Sequence, residues 1–175
     1  MLSTRIEAIK TEYLELREFF RTNGQISFEV YIDNTYKKTL LLSVASYFES
    51  LITELIIGYA RYSSNGDEKI ASLIELKTLN RQYHTFFDWE KQNTNKFFSY
   101  FGDATKEKAR TLLQQKGLVD AEKAFLSIGR ERNKLIHNNY AEAIINFTFD
   151  EIYNQYVLAC KFIEFIQEML PQKTV

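Results

Sequence analysis

The segment RNKLIH, which begins at Arg132 and ends at His137, holds the residue types best suited to chemistry in this sequence. Imidazole is the only side chain whose ordinary pKa lies between 5 and 8, so histidine is the first choice for acid–base work at neutral pH. The chain has two histidines, His84 and His137. Guanidinium groups bind carboxylates and phosphates through paired hydrogen bonds. The segment therefore indicates proton transfer beside an anion, with Asn133 available to hold either group.

Arg132 is predicted to lie within an apolar stripe of its helix. At about 100° per residue, one helical face contains Arg132 and four apolar residues, Phe125, Ile128, Leu135 and Ile136. A guanidinium in an apolar seam is costly unless it is paired, so we expect it to have a partner, either a carboxylate or an incoming phosphate. Gly129 borders the stripe and would permit a second helix to approach closely. Both features favour a face that associates with another copy of the chain.

His137 is predicted to point about 140° away from Arg132 around the same helix. Direct contact between the two side chains is not expected in one straight helix. Either the helix deforms before His137, or two copies pack so that residues from both chains meet in one cleft. The second arrangement requires a homodimer.

The overall composition predicts one domain, residues 1–175, in a reducing compartment. Forty-five per cent of the 175 residues are hydrophobic, which is enough for one buried core. The single cysteine, Cys160, excludes an internal disulfide and favours the cytoplasm, and we expect it to be a small core or boundary residue. No stretch reaches the roughly 18 uncharged residues of a spanning helix, so we expect no membrane partner. The nucleotide-binding, metalloprotease and serine-hydrolase motifs are missing, and we expect no cofactor and no metal.

The charge distribution favours a polyanionic partner for one part of the chain. The net charge is −1, which argues against a general basic field. Between Lys106 and His137, however, the chain has eight basic residues and four acidic ones. This stretch would attract a nucleic acid.

Hydrophobic periodicity and the scarcity of proline and glycine predict an all-α fold. We expect a helix over residues 2–22, which Asn23 and Gly24 end, a second helix over residues 34–62, a turn at residues 63–67, and a short helix containing Ile70 and Leu76. A further helix is predicted from Asp120, as its N-cap, to Asn138 and Asn139. The last helix should start at Thr148, which forms a capping box with Glu151.

The aromatic segment, residues 83–101, allows two interpretations. Its rings could stack on the bases of single-stranded RNA. The favoured alternative is that they fill the core or a dimer seam; these are Phe86, Phe87, Trp89, Phe97, Phe98 and Phe101.

The sequence RNKLIHNN resembles the signature of the HEPN superfamily, in which an Arg is followed by a polar residue and is separated from a His by four to six intervening residues. Arg132, Asn133 and His137 fit with four residues between them. The segments SYFESLITELI, YHTFFDW and NKFFSYFG and the Thr-capped last helix resemble the RiboL-PSP-HEPN-like group. The resemblance spans most of residues 33–170.

This resemblance implies an up-and-down bundle of about five helices that dimerises side by side, with both Arg–His pairs facing one cleft. It also implies metal-independent RNA cleavage in a toxin or antiviral role, with a cognate antitoxin or regulatory protein as a partner. The alternative is a non-catalytic module that binds RNA, a nucleotide or a protein, as in other members. The implied catalytic residues are Arg132, His137 and Asn133. The implied substrate-binding residues are Arg130, Lys134 and Tyr140.

Overall fold

The computed structural model describes residues 2–79, 82–138, 140 and 142–171. All regular structure within these residues is helical, which confirms the predicted all-α class. The helices are α1 (Thr4–Thr22), α2 (Ile26–Ser63), α3 (Glu68–Ile74), α4 (Asn95–Ser99), α5 (Asp103–Gln115), α6 (Val119–His137) and α7 (Phe149–Met169). A π-helical turn, Glu75–Leu79, continues α3, and a 3₁₀ turn, Tyr83–Thr85, precedes α4.

Helix α2 begins eight residues earlier than the predicted start at residue 34, at Ile26. Gly24 ends α1 in the left-handed conformation, with φ +66°, as predicted from the Asn-Gly pair. The chain then re-enters a helix at once. Ile26, Phe28 and Val30 alternate with polar residues, which is a strand-like period, and all three are exposed. The helical period of the core face appears only later in α2.

One whole helix and one helix start also differ from the prediction. Helix α5 was not predicted, because it buries only Ala109 and Leu113 and its other residues are largely polar. Helix α6 has Leu118 at its N-cap position, so the expected Asp120 cap is wrong. Asp120 lies in the first turn instead, where its charge complements the helix dipole. Asn138 ends α6 in an extended conformation, and Asn139 lies outside the described residues.

The core lies where α6 and α7 pack together and α2 crosses both. Phe125 of α6 is central to it, with ring centroids 5.7 Å from Phe48 of α2 and 5.2 Å from Phe162 of α7. Cys160 is buried in α7, as expected for a small core residue. Helix α7 starts with the predicted capping box between Thr148 and Glu151. Helices α2 and α7 therefore hold α6 in place on its buried side.

By length and composition alone, α2 could cross a membrane. Its most apolar window has a mean hydropathy of 1.7, and 44% of that window is buried inside the fold. The criterion admits up to two charged residues, whereas the sequence prediction counted uncharged residues only. Core helices of soluble proteins meet the same criterion, and α2 packs against α1, α6 and α7.

Candidate functional site

The first half of α6 is tied to α4 by a buried carboxylate. Glu122 Oε1 accepts hydrogen bonds from the backbone N–H and the hydroxyl of Thr94, each at 2.6 Å. Burial raises the pKa of Glu122, and the two hydrogen bonds from Thr94 lower it in part. Thr94 directly precedes α4, so this contact fixes the middle of the aromatic segment against α6.

Gly129 provides the space for a ring of the same chain. A Cβ atom at this position would lie 1.9 Å from Cζ3 of Trp89. The Trp89 indole N–H donates to the carbonyl of His84 at 2.9 Å, which holds the ring in place. The prediction that Gly129 admits a helix of a second copy is therefore wrong. A glycine is required at position 129 because another group approaches the helix closely there, and that group is Trp89 of the aromatic segment.

The apolar stripe of α6 packs within its own chain. Phe125, Ile128 and Leu135 are buried in the core, whereas Ile136 is 50% exposed. The expectation that this stripe forms a seam between two copies is wrong, because α2, α7 and the aromatic rings already cover it. The favoured interpretation of the aromatic segment is confirmed for the core, since Phe86, Phe87, Phe97 and Phe98 are buried.

Arg132 lies at the edge of the stripe, with 30% of its side chain exposed. Its Nη1 donates to Oδ1 of Asn133 at 3.1 Å. Its Nη2 is 3.9 Å from Oε2 of Glu49 on α2, which is longer than a hydrogen bond. The expected carboxylate partner is therefore present, although it does not saturate the guanidinium. A guanidinium has five N–H donors, so several remain for an anion.

Tyr83 and Glu49 belong to the same site, although the sequence analysis did not select them. A cavity of about 10 Å³, close to the size of one water, is lined by Tyr83, Trp89, Arg132 and Asn133, among others. Burial raises the pKa of Tyr83, the charge of Glu49 raises it further, and that of Arg132 lowers it. The sequence did contain a signal for Glu49. It is an acidic residue within the apolar part of α2, and such a residue is a candidate for the carboxylate partner that Arg132 was expected to have.

His137 is not brought to Arg132 within one chain. Helix α6 remains α-helical up to His137, so the alternative of a deformed helix does not hold. The histidine side chain is exposed at the end of the helix, and its direction stays about 140° from that of Arg132. The unselected histidine, His84, borders the Arg132 cavity instead and is also exposed. Of the two other predicted catalytic residues, only Asn133 therefore lies beside Arg132 in one chain.

The three predicted substrate-binding residues lie in two places. Lys134 pairs with Glu131 at 2.8 Å, and Arg130 Nε lies 3.7 Å from the same carboxylate. That Nε is buried and has no hydrogen-bond partner among the described residues. Tyr140 is exposed and accepts a hydrogen bond from Lys38 of α2 through its carbonyl. Arg130 and Lys134 share an acidic neighbour, and Tyr140 lies against α2.

Within residues 2–79, 82–138, 140 and 142–171, no three His, Cys, Asp or Glu side chains lie together as metal ligands would.

A family model described as RiboL-PSP-HEPN matches residues 7–172 of the chain. The chain belongs to this HEPN family. The family resemblance is confirmed, and the match also includes most of α1, which the motifs did not cover. No curated protein and no solved structure matches this HEPN domain.

Proposed function

We propose that this HEPN domain is a metal-independent endoribonuclease that works as a homodimer. The observation that carries the proposal is the state of Arg132. Its guanidinium is partly buried and held by Asn133, yet its nearest carboxylate, Glu49, stays at 3.9 Å. A phosphate could therefore take the free donors without first breaking a close ion pair. Membership of the HEPN family supports the same chemistry.

In the proposed reaction, His137 accepts the proton of a ribose 2′-OH. The 2′ oxygen then forms a bond to the adjacent phosphorus, and the bond from phosphorus to the 5′ oxygen breaks. The leaving 5′ oxygen takes up a proton from water, and His137 later releases its proton to solvent, so the products are a cyclic 2′,3′-phosphate and a 5′-OH. Arg132 stabilises the extra negative charge in the transition state, and Asn133 positions the guanidinium. Arg130, Lys134 and Tyr140 are proposed to bind the flanking backbone.

The dimer is proposed because a straight α6 separates Arg132 from His137. A second copy could place its His137 beside the Arg132 of the first. The cleft would then contain two composite sites, each with residues of both chains. The apolar stripe of α6 cannot form this interface, because it is buried in the core. The last two turns of α6 also have an exposed side, which includes Ile136 and His137 and remains accessible to a second copy.

The first test is cleavage of a labelled single-stranded RNA in the presence of EDTA. We expect the wild type to cleave it, and Arg132→Ala and His137→Ala to slow cleavage by about 100-fold or more. Lys123→Ala is the matched control, because Lys123 is an exposed cation in the first half of α6. Loss of wild-type cleavage in EDTA, or full activity in His137→Ala, contradicts the proposal.

The composite site has its own test. Equal amounts of Arg132→Ala and His137→Ala are mixed, dissociated and allowed to reassociate. Half of the dimers would contain both variants, and each of these would have one intact site, so roughly a quarter of the wild-type activity should return. No recovery would mean that each site uses residues of one chain only.

A non-catalytic module is the second candidate, and one observation favours it. Arg132, Asn133 and Glu49 form a contact network inside one chain, away from His137. In this role the two residues would bind RNA, a nucleotide or a protein. Expression in a bacterial host separates the candidates. A nuclease with a toxin or antiviral role in the cytoplasm should slow growth, Arg132→Ala should not, and a cognate antitoxin should relieve the effect.

A further inference from the structure

A second cavity is lined by residues of the aromatic segment other than those that line the Arg132 cavity. It has a volume of about 810 Å³ and is formed where the end of α2, helix α3 and its π-helical turn face the aromatic segment. Its floor reaches the core at Ile56, Ala60 and Phe97, all of which are buried. Small-molecule sites typically have volumes of about 300 to 1,000 Å³. The cavity therefore has the size of a ligand site.

The lining of this cavity is mostly apolar and aromatic. Tyr59 and Phe101, which lie in edge contact at 5.6 Å, form one wall, and Ile70 and Ile74 of α3 form another. Open space between apolar side chains forfeits their dispersion contacts, and water gains little there. An apolar body would recover these contacts. The depth of the floor favours a small molecule over a helix, which would need a long, shallow groove.

The positive charge of Lys77 favours a ligand with an anionic group. Among the described lining residues, Lys77 is the only charged side chain, and polar groups such as Thr78 and Gln82 lie near it. Lys77 is exposed and forms no ion pair or hydrogen bond with any residue that the structure describes. It lies in the π-helical turn, and π-helical turns occur frequently at functional sites.

We propose that this cavity binds a small amphiphile, an apolar chain or ring that carries one anionic headgroup. The apolar body would lie over Phe97 and Phe101, and the headgroup would pair with Lys77. None of the lining residues belongs to the Arg132 site, so the proposal does not depend on nuclease activity.

The test is calorimetric titration of the full chain with dodecanoate, below the concentration at which it forms micelles. We expect saturable binding of one molecule per chain. Dodecanol, which has no charge, and dodecyltrimethylammonium, which is cationic, should bind more weakly. Equal binding of the three probes, or no saturable heat with dodecanoate, overturns the proposal.

Charge variants locate the headgroup. Lys77→Glu replaces an attraction by a repulsion, so it should weaken dodecanoate binding by about 5- to 20-fold. Lys77→Arg should retain binding. Lys69→Glu is the matched control, because Lys69 is an exposed lysine of α3 that does not line the cavity, and it should change the affinity less than about twofold. An unchanged affinity in Lys77→Glu overturns the assignment of the headgroup to Lys77.

A blocking variant tests the body of the site. Ser63→Trp places an indole at the rim of the cavity and should abolish binding, while the melting temperature of the protein stays within a few degrees of the wild type. Binding at wild-type affinity by this folded variant would place the ligand elsewhere and contradict the proposal.

Discussion

The two halves of α6 differ in what they do for the protein. In the first half, from Val119 to Gly129, seven residues are buried: Ala121, Glu122, Ala124, Phe125, Leu126, Ile128 and Gly129. In the second half, from Arg130 to His137, only Leu135 is buried. The first half anchors the helix to α2, α4, α7 and the aromatic segment. In the second half, Arg130, Glu131 and Arg132 are partly exposed, and Lys134 and His137 are exposed. The buried contacts that hold the helix in the fold therefore lie in its first half, and the proposed catalytic residues lie in its second half.

The largest expected effect compares one apolar residue from each half. Phe125→Ala should lower the free energy of unfolding by about 3–5 kcal/mol, because Phe125 is 1% exposed and contacts the rings of α2, α7 and the aromatic segment. Ile136→Ala should change it by less than about 0.5 kcal/mol, because Ile136 is 50% exposed. Urea denaturation measures both. A large loss in Ile136→Ala would show that the second half also carries stability.

Gly129→Ala tests the boundary between the halves. The added methyl group would clash with the Trp89 ring, and overpacking of this kind costs about 1–3 kcal/mol. The better helix propensity of alanine returns up to about 1 kcal/mol, so a net loss is expected. Combining the change with Trp89→Leu should recover part of the loss in a double-mutant cycle. Strictly additive losses would mean that the ring is not the obstacle.

Glu122 tests the anchoring half through its charge. Glu122→Ala leaves the N–H and hydroxyl of Thr94 without their acceptor and should cost about 1–3 kcal/mol. Glu122→Gln retains an oxygen acceptor and should cost less.

The pH dependence of the same residue has a defined sign. Because burial raises the pKa of Glu122 above its ordinary 4.5, the folded state binds the proton more tightly than the unfolded state does. Its contribution to stability is fully present below the unfolded pKa and is lost as pH rises through the folded pKa. Glu122→Gln should lack this decline in denaturation series from acid to neutral pH. An identical pH profile for wild type and variant would contradict the raised pKa.

The smallest expected effect is at the end of α6. His137→Ala should change the free energy of unfolding by less than about 0.5 kcal/mol, because the side chain is exposed. The same change should slow RNA cleavage by about 100-fold or more, as proposed above. If His137→Ala lost both stability and activity, the loss of activity could result from unfolding, and the second half of α6 would also contribute to stability.

The sequence predicted local features of the fold well. The Thr148 capping box, the end of α1 at Gly24 and the burial of Cys160 depend on residues close together in the chain, and each is confirmed. The start of α2 at Ile26 was missed because its alternating pattern is typical of a strand. Helix α5 was missed because it buries so few residues. These errors share one cause: the apolar pattern is weak where a helix is largely exposed.

The candidate site was harder to predict because its contacts are tertiary. The sequence placed Arg132 beside Asn133 and indicated a close approach at Gly129. It could not identify Trp89 as the approaching group, because 40 positions of the chain separate the two residues. Glu49 and Tyr83 could not be identified for the same reason, because they also lie far from Arg132 along the chain. The opposite directions of Arg132 and His137, by contrast, follow from helix geometry alone and were predicted.

Trp89 is the only tryptophan in the chain, and its ring lies on Gly129 beside Arg132. Its fluorescence therefore originates from one place, the contact between α6 and the aromatic segment. Rings of that segment also lead from Trp89 to the second cavity, since Phe87 lies 5.0 Å from Trp89 and 4.9 Å from Phe97. The protein thus contains a built-in optical probe, and its emission can be followed in an unlabelled sample while either site is titrated.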